Sequence, residues 1–453
     1  MDIIKDNMPP PSADDDGERY AERQRRYFDR VLALALGIGA GLLSSGASVS
    51  RVETAVKLIC LACGAREVNV MSFPSVIICS VRLDDGSEVA QLKRNFEVSN
   101  DFFKMEQCNQ LSRDVCSKKL TVEEAEVRLR EIDGSRAYKT PVTVLSGGLV
   151  AGLFTIYFGG ALIDGIPAFI TGCLMMFANI LLSRRDFNSY ARTFVLSLLG
   201  GMLSILLCRL FILCGANCSV SMVTIGTIMV VVPGLLICNA VRDMFSGDIY
   251  SGAFEFLNGV LSILAIAAGY GASLILLRSL VVYIEPAVRT GWEYYIYSTV
   301  TCLIGACAVG VMFNCTFKKI LIGTGNILVT FLIFLVLQEY TGDVFLEHFV
   351  STLFAAVVAE VLARVFKAPS TIFLVPAIIV FVPGGSLYYT MNGIVTGDMA
   401  FAATWGKTAG LTLLGIAVGI SVITALFQII HPVKGKAALR RLIRLKNKQQ
   451  GDK

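Results

Sequence analysis

Val232-Pro233-Gly234-Leu-Leu and Val382-Pro383-Gly384-Gly-Ser are the two stretches that decide the fold. Each Pro-Gly pair follows an apolar run and is followed, after twelve intervening residues, by a Gly-Asp pair, Gly247-Asp248 or Gly397-Asp398. Five apolar runs long enough to cross a bilayer fit between the two copies. Because an odd number of crossings reverses the chain, the second copy enters the membrane from the opposite side. This pattern predicts a transporter built from inverted repeats.

The composition predicts a polytopic α-helical membrane protein. Hydrophobic residues make up 55% of the 453 residues, and the mean hydropathy is +0.66. These values exceed those of an ordinary soluble domain. Most charges lie in the first 140 and the last 22 residues, so the net charge of +5 does not indicate a nucleic-acid partner. Only two histidines are present, so we expect no metal site and no cofactor.

The chain divides into five parts by composition. Residues 1–18 are polar and acidic and are expected to form a disordered tail. Residues 19–139 are expected to form a soluble α/β domain, with helix and strand patterns and a capping box at Thr121–Glu124. Its apolar stretch Val31–Leu43 is shorter than the ~20 residues needed to cross a bilayer. Two five-span halves, 140–278 and 279–430, and a basic tail, 431–453, follow.

The membrane part is predicted to contain ten spans. They are 142–158, 161–182, 192–213, 220–241, 252–277, 294–314, 320–338, 349–366, 370–391 and 401–430.

Loop charges alternate from one side of the predicted membrane to the other. One set of loops is basic: Arg184, Arg185, Arg192, Arg242, Lys318, Lys319, Arg364 and Lys367. The other set is neutral or acidic, or of mixed charge: Asp164; Asn217; Arg278, Glu285, Arg289 and Glu293; Glu339, Asp343 and Glu347; Asp398. Basic loops stay on the cytoplasmic side. We therefore expect a plasma (inner) membrane protein with both termini and the 19–139 domain in the cytoplasm, and a basic tail that contacts membrane lipid or acts only as an anchor.

Two broken helices are the predicted substrate site. Proline removes a backbone donor and glycine lets the chain turn, so each Pro-Gly pair interrupts its helix at membrane depth. The half-helix that follows would direct its positive N-terminal dipole at a carboxylate. The candidate substrate-binding residues are Pro233, Gly234, Asn239, Pro383, Gly384, Gly385 and Ser386. The alternative is that both pairs are ordinary packing kinks.

Several charged residues are candidates for coupling or charge relay. Ionisable groups within spans are costly and often functional. The candidates are Arg209, Arg242, Asp243, Asp248, Glu255 and Asp398. The alternatives are that Asp248 and Asp398 occupy helix-end turns in water, and that Arg209 and Glu255 extend to the membrane surface from positions near span ends.

Three stretches resemble the threonine/serine exporter family. They are SGASVSRVE at 45–53, PGLLICNAVRDMFSGDIYSG at 233–252 and VPAIIVFVPGGSLYY at 375–389. The resemblance covers about 20–430 and implies export of small amino acids by a fused form of two halves, the second of which also occurs as a separate protein. Some two-component relatives are linked to dicarboxylates. The Pro-Gly-Leu-Leu here departs from the family's usual Pro-Gly-Ile-Pro, which affects the substrate more than the family.

The sequence therefore favours a non-enzymatic secondary transporter that exports threonine or serine. No phosphate-binding glycine loop is present, so proton antiport or the membrane potential is the expected energy source. A dicarboxylate exporter, a channel and an intramembrane aspartyl protease using Asp248 and Asp398 are the alternatives. The protease would need both carboxylates on one side, and the topology separates them. The small-molecule substrate and membrane lipid are the expected partners, and a homo-oligomer remains open.

Overall fold

Residues 17–83, 86–95, 100–185, 187–245, 247–282 and 291–430 are described by a computed structural model. Most of the predicted N-terminal tail and the basic tail 431–453 lie outside the described residues, as do Glu285 and Arg289. The chain forms two compact units. The first comprises the chain up to Arg136 with two short later stretches, Ser246–Ser251 and the chain from Thr424. The second comprises Ala137–Phe245 and Gly252–Ile423.

The first unit combines four helices with one small sheet. The sheet has the antiparallel order β1-β2-β3, and alternate residues of β2 (Ile77, Cys79, Val81) are buried, as expected for a strand with one covered face. The capping box predicted at the start of the last helix is present between Thr121 and Glu124. In chain order the elements are α1 Gly17–Ser44, α2 Val49–Ala62, β1 Glu67–Phe73, β2 Val76–Arg82, β3 Glu88–Arg94, α3 Phe102–Cys116 and α4 Val122–Gly134.

Helix α1 is longer than its apolar stretch suggested. Its residues 19–44 are long and apolar enough to cross a membrane, so the expectation based on Val31–Leu43 underestimated the helix. However, 67% of its most apolar window is buried inside the structure, against 33–44% for the other candidate spans. Gly37, Gly39 and Gly41 let α4, α2 and α3 approach closely: an added Cβ would lie 2.7 Å from Leu129, Val56 and Cys108 respectively. Close neighbours on three sides are typical of a core helix in a soluble domain.

The second unit is entirely helical in its described part. Its helices are α5 Thr140–Tyr157, α6 Leu162–Leu182, α7 Ser189–Leu213, α8 Val220–Ile228, α9 Gly234–Phe245, α10 Ile249–Leu276, α11 Gly291–Met312, α12 Phe317–Thr341, α13 Val344–Val365, α14 Thr371–Ile378, α15 Gly384–Thr396 and α16 Met399–Ile430. Short 3₁₀ turns follow α10 at Arg278–Leu280 and α14 at Ile379–Phe381.

These helices confirm a polytopic membrane protein. Among the described residues, eight helices besides α1 are long and apolar enough to cross a membrane, and α14 with α15 forms one more crossing bent by 44°. Helices α8 and α9 have 9 and 12 residues, so neither can cross a ~30 Å hydrocarbon layer alone at ~1.5 Å per residue. Large apolar side chains such as Phe177, Leu257 and Val336 are exposed on the helices, as a lipid-facing surface requires.

The second unit contains the same series of six helices twice. Helices α5 to α10 correspond in order and approximate length to α11 to α16, and in both series the fourth helix is short and followed by a break. Equivalent helices also begin alike. Asn188 caps α7 by accepting from the Tyr190 N–H at 2.9 Å, and Asp343 caps α13 by accepting from the Leu346 N–H at 3.0 Å. Helix α5 packs along its counterpart α11, which joins the two series.

Candidate substrate site at the two broken helices

The first break lies between α8 and α9. The Val232 N–H still donates to the Ile228 carbonyl at 3.0 Å, but Pro233 has no N–H and cannot continue the helix. The Ile237 N–H donates to the Pro233 carbonyl at 3.2 Å, so a new helix begins at this proline. The first N–H groups of α9, beginning at Gly234, therefore have no acceptor within the helix.

The second break repeats this arrangement between α14 and α15. The 3₁₀ turn Ile379–Phe381 ends α14, and Pro383 becomes the N-cap of α15. The Leu387 N–H donates to the Pro383 carbonyl at 2.9 Å, as the Ile237 N–H does to Pro233. The predicted helix breaks at Pro233 and Pro383 are therefore present as discontinuities of the backbone.

The two breaks contact each other through their glycines. A Cβ atom added to Gly234 would lie 2.6 Å from Cγ2 of Val382, in the second break. A Cβ added to Gly384 would lie 2.5 Å from Sδ of Met229, in the first break. Gly385 is less crowded, with the Phe158 ring 3.5 Å from the added atom. Each break thus has a glycine where the other break approaches most closely.

Hydroxyl groups lie along α8, the helix that leads into the first break. The Tyr388 hydroxyl donates to Ser221 Oγ at 3.3 Å, which joins α15 to α8. The Tyr270 hydroxyl donates to Thr227 Oγ1 at 3.1 Å, which joins α10 to α8. Both tyrosines are almost completely buried. Sequence reasoning missed these residues, although Ser221, Thr224 and Thr227 recur at three-residue intervals and therefore share one side of a short helix.

A small apolar crevice of about 20 Å³ adjoins the Tyr388 side chain. It lies between α8, α10 and α15. The lining residues are Ile228, Val232, Ile263, Ile266, Ala267, Leu387, Tyr388 and Met391. The Tyr388 side chain lines the crevice, and its hydroxyl donates to Ser221. This side chain therefore connects the apolar and polar parts of the site.

A buried histidine touches the second break. His348 lies on α13, with its ring 5.9 Å from that of Phe381 and 5.1 Å from that of Phe334 between ring centres. Its Nδ1 lies 2.7 Å from the Val344 carbonyl oxygen, which assigns the Nδ1 proton to that contact if the ring is neutral. The sequence analysis did not select His348. Its occurrence inside an apolar run, as one of two histidines, was the available signal.

Two buried polar side chains hold the broken helices in place. Asp164 accepts from the Ala161 N–H at 2.7 Å and from the Ser219 N–H, at the start of α8, at 2.8 Å. Asn326 donates to the carbonyls of Ala355 at 3.2 Å and Phe373 at 3.3 Å, so it ties α12 to α13 and α14. Their hydrogen bonds give both residues a structural role, which only three-dimensional proximity reveals.

The remaining predicted binding residues lie on the helices that follow the breaks. Asn239 is half-buried on α9, and Ser386 is half-buried in the first turn of α15. Pro233 is half-buried, whereas Pro383, Gly384 and Gly385 are fully buried. The structure therefore brings Gly234, Pro383, Gly384 and their neighbours together, while Asn239 lies more than one turn further along its helix.

The charged residues predicted for coupling lie on or next to several helices, and they do not all lie where the two broken helices meet. Arg209 is half-buried near the end of α7 and Glu255 is half-buried near the start of α10. Asp243 is 2% exposed on α9. The side chain of Arg242 lies outside the described part of the structure. Asp398 is exposed and accepts from the Phe401 N–H at 3.0 Å, which makes it the cap of α16.

Asp248 immediately precedes α10 and belongs to the first unit. There its negative charge acts on the carboxyl group of Glu53 in α2. Oε1 of Glu53 accepts from the Ser72 N–H at 2.9 Å. Burial raises the pKa of the Glu53 carboxyl, and the negative charge of Asp248 adds to the rise. The Ser72 hydrogen bond and the charge of Lys57 act in the opposite direction. Asp248 is thus placed beside a partly buried carboxyl group.

The cysteines form no metal centre in the described parts of the chain, where no three His, Cys, Asp or Glu side chains are grouped closely enough to hold an ion. Cys60 and Cys63 have a Cys-x-x-Cys spacing that was missing from the sequence-based expectations. In the structure Cys60 is hydrogen-bonded to Cys79 of β2, and both are buried. These sulfurs therefore belong to the core of the first unit.

Comparisons with known proteins match most of the chain. A family model described as "Putative threonine/serine exporter" matches residues 33–277, more than half of the chain, and one described as "Threonine/Serine exporter, ThrE" matches 298–426. The chain belongs to the threonine/serine exporter family. A curated relative from Corynebacterium glutamicum, a threonine/serine exporter, is 23% identical over 397 residues, covering 86% of this chain and 81% of the relative. No solved structure was found to match.

Family membership and the apolar helices together identify an integral membrane protein that transports amino acids outward. The two family models divide the chain between residues 277 and 298. This division falls after α10, between the two series of six helices. Both broken helices lie inside matched ranges, one in each.

Proposed function

We propose that this family member is a secondary transporter that exports threonine and serine across the plasma membrane by alternating access at the crossing of the two broken helices. The observation that carries the proposal is the reciprocal contact of the breaks, in which Gly234 meets Val382 and Gly384 meets Met229. A site made by both repeats can open to either side when one repeat moves against the other.

The residues around the crossing suit a small hydroxy-amino acid. The starts of α9 and α15 offer positive dipole ends to the substrate carboxylate, and the Gly384 N–H at the start of α15 donates to the Val382 carbonyl at 2.7 Å. The hydroxyl pairs Tyr388–Ser221 and Tyr270–Thr227 lie along α8, the helix that leads into the first break, and are suited to the substrate hydroxyl. A site that hydrogen-bonds a hydroxyl discriminates strongly against analogues that lack it.

The proposed topology is inverted, with both termini and the 19–139 domain cytoplasmic. In the proposed topology α8 and α9 together cross the membrane once, as α14 and α15 do, so that each half has five crossings and the second half is reversed. The charge of the loops supports the orientation. A proton gradient or the membrane potential would drive export, with Glu255, Asp243, Asp248, Arg209 and the other predicted charges as candidates for coupling.

Amino acids fit the crossing better than dicarboxylates. The described residues where the two broken helices meet are glycine, valine, methionine and hydroxyl residues, and none of these is cationic. A second carboxylate would need an additional positive group. Arg209 lies on α7, within about one turn of its C-terminal end.

Uptake by inverted membrane vesicles tests the proposal. Vesicles containing the protein should accumulate labelled threonine and serine when energised, and should not accumulate succinate. Tyr388→Phe should lower uptake of serine more than uptake of alanine, because it removes the hydroxyl and keeps the ring. Tyr20→Phe, in the first turn of α1, is the matched control. Accumulation of succinate without threonine or serine would overturn the proposed substrate.

A further inference from the structure

Two buried cysteines meet in the turn that leads into the first broken helix. Sγ of Cys218 lies 2.9 Å from Sγ of Cys208, and both residues are completely buried. Cys208 lies near the end of α7, and Cys218 immediately precedes Ser219, the N-cap of α8. Cys214 is closer to Cys218 in the sequence, but it is exposed, and Cys208 is the buried neighbour of Cys218.

The turn between α7 and α8 and its counterpart in the second half are predicted to face opposite sides of the membrane. The turn between α7 and α8 contains no basic residue from 214 to 219 and is predicted to face outward. In the second half the corresponding turn, between α13 and α14, is flanked by Arg364 and Lys367 and is predicted to face the cytoplasm. No cysteine occurs from residue 355 to residue 372, around that turn. The thiol pair therefore occurs only in the outward-facing turn, where disulfides persist.

We propose that Cys208 and Cys218 form a disulfide bond that ties the end of α7 to the start of α8. The assignment rests on the outward orientation in the proposed function. The two sulfurs would move from 2.9 Å to about 2.05 Å apart. The oxidant is the disulfide of an outer-face thiol–disulfide oxidoreductase: one cysteine thiolate attacks it, the second displaces the mixed disulfide, and the oxidant leaves as a dithiol. The two protons lost by the cysteine thiols and one electron pair pass to the two sulfurs of the oxidant.

The bond would fix the outer end of the first broken helix. Asp164 already holds the Ser219 N–H at 2.8 Å, one residue from Cys218. A covalent link to α7 adds a second restraint at the same end of α8. The opposite end of α8 leads into the break, which meets Gly384 through Met229. The first broken helix would then be anchored at its outer end by two links.

Trypsin provides a direct test in the intact chain, because Arg209 lies between the two cysteines. Membrane protein is denatured with N-ethylmaleimide, which blocks free thiols, and is then digested without reduction. The peptides 193–209 and 210–242 should remain joined and should separate after reduction. Cys208→Ser and Cys218→Ser should each abolish the joined species. Cys214→Ser and Cys238→Ser should each retain it, which distinguishes Cys218 from the other two cysteines in the second peptide.

Labelling of the first unit supplies the second control. Cys60 and Cys79 are also paired and buried, but their unit is predicted to be cytoplasmic, so both should be alkylated before reduction. Alkylation of Cys208 and Cys218 without reduction would overturn the disulfide, even if threonine export is normal. A joined peptide in a protein that does not export threonine would support the bond and overturn only the proposed function.

Discussion

Replacing Gly234 by alanine should destabilise the protein by about 1–3 kcal/mol, the usual range for overpacking a buried site. The added Cβ would lie closest to Cγ1 of Val382, and 2.6 Å from Cγ2 and 3.1 Å from Cβ of the same side chain. Carbon atoms normally approach to about 3.5–4.0 Å, so the overlap exceeds ~1 Å. Val382 is 1% exposed and β-branched, and it therefore has little freedom to move away.

The equivalent change at Gly384 should cost less, at most about 1 kcal/mol. Its added Cβ would lie 2.5 Å from Sδ of Met229, but 3.6 Å from Cγ. The conflict therefore involves only the flexible end of a methionine, which can adopt another rotamer. Gly410→Ala is the matched control because nothing lies within 4 Å of its added Cβ. In the middle of α16 this change should be neutral or stabilising by roughly 0.5–1 kcal/mol.

Melting of the purified protein and threonine uptake in vesicles measure both effects. The expected order of melting temperature is Gly410→Ala, then Gly384→Ala, then Gly234→Ala. Adding Val382→Ala to Gly234→Ala should recover part of the loss, with a coupling energy of about 0.5–3 kcal/mol in a double-mutant cycle. Equal stability of Gly234→Ala and Gly410→Ala, or no coupling to Val382, would refute the reciprocal contact of the two breaks.

Four further predictions concern separate parts of the molecule. Asp164→Ala removes the acceptor of two backbone N–H groups and should lower the unfolding free energy by about 1–3 kcal/mol, measured by melting, with a smaller loss for Asp164→Asn. Glu255→Gln should abolish the dependence of export on a proton gradient while leaving equilibrium binding of threonine largely intact; an unchanged pH dependence would assign Glu255 to anchoring. The raised pKa of Glu53 means that its ionised form is disfavoured in the folded state. Glu53→Gln should therefore melt at the same temperature as wild type at low pH, and at a higher temperature than wild type as the pH rises through that raised pKa. A reporter in the 278–293 loop should be external and one at 316–319 cytoplasmic, and the reverse at either place would contradict the inverted topology.

The ends of the membrane helices follow closely from the sequence. The predicted spans 161–182 and 192–213 correspond to α6 at Leu162–Leu182 and α7 at Ser189–Leu213. Such boundaries depend on apolar length and on flanking polar residues, both of which are local properties. The breaks at Pro233 and Pro383 were predictable for the same reason, since proline removes a hydrogen bond wherever its neighbours lie.

Contacts between distant residues were not predictable. Ser221 meets Tyr388 across 167 positions, and Asn326 meets Phe373 across 47. Nothing in the local pattern of either pair specifies the partner. Cys218 illustrates the same limit at short range: Cys214 is four residues away in the sequence, whereas the sulfur that lies beside Cys218 in the structure belongs to Cys208, ten residues away. Apolar length also gave too short a helix α1, because its polar first turns belong to the same helix.

The reciprocal glycine contacts restrict how the two halves can be exchanged between relatives. The side chain that limits Gly234 is Val382, and the one that limits Gly384 is Met229, so each half carries the steric constraint on the other. A chimera with a second half from another family member would combine two surfaces that were not selected together. A larger side chain near position 382 would then be harmful with the first half of one exporter and acceptable with the first half of another. The residue pairs 234–382 and 229–384 should therefore vary jointly among functional exporters, even in relatives whose two halves are separate chains.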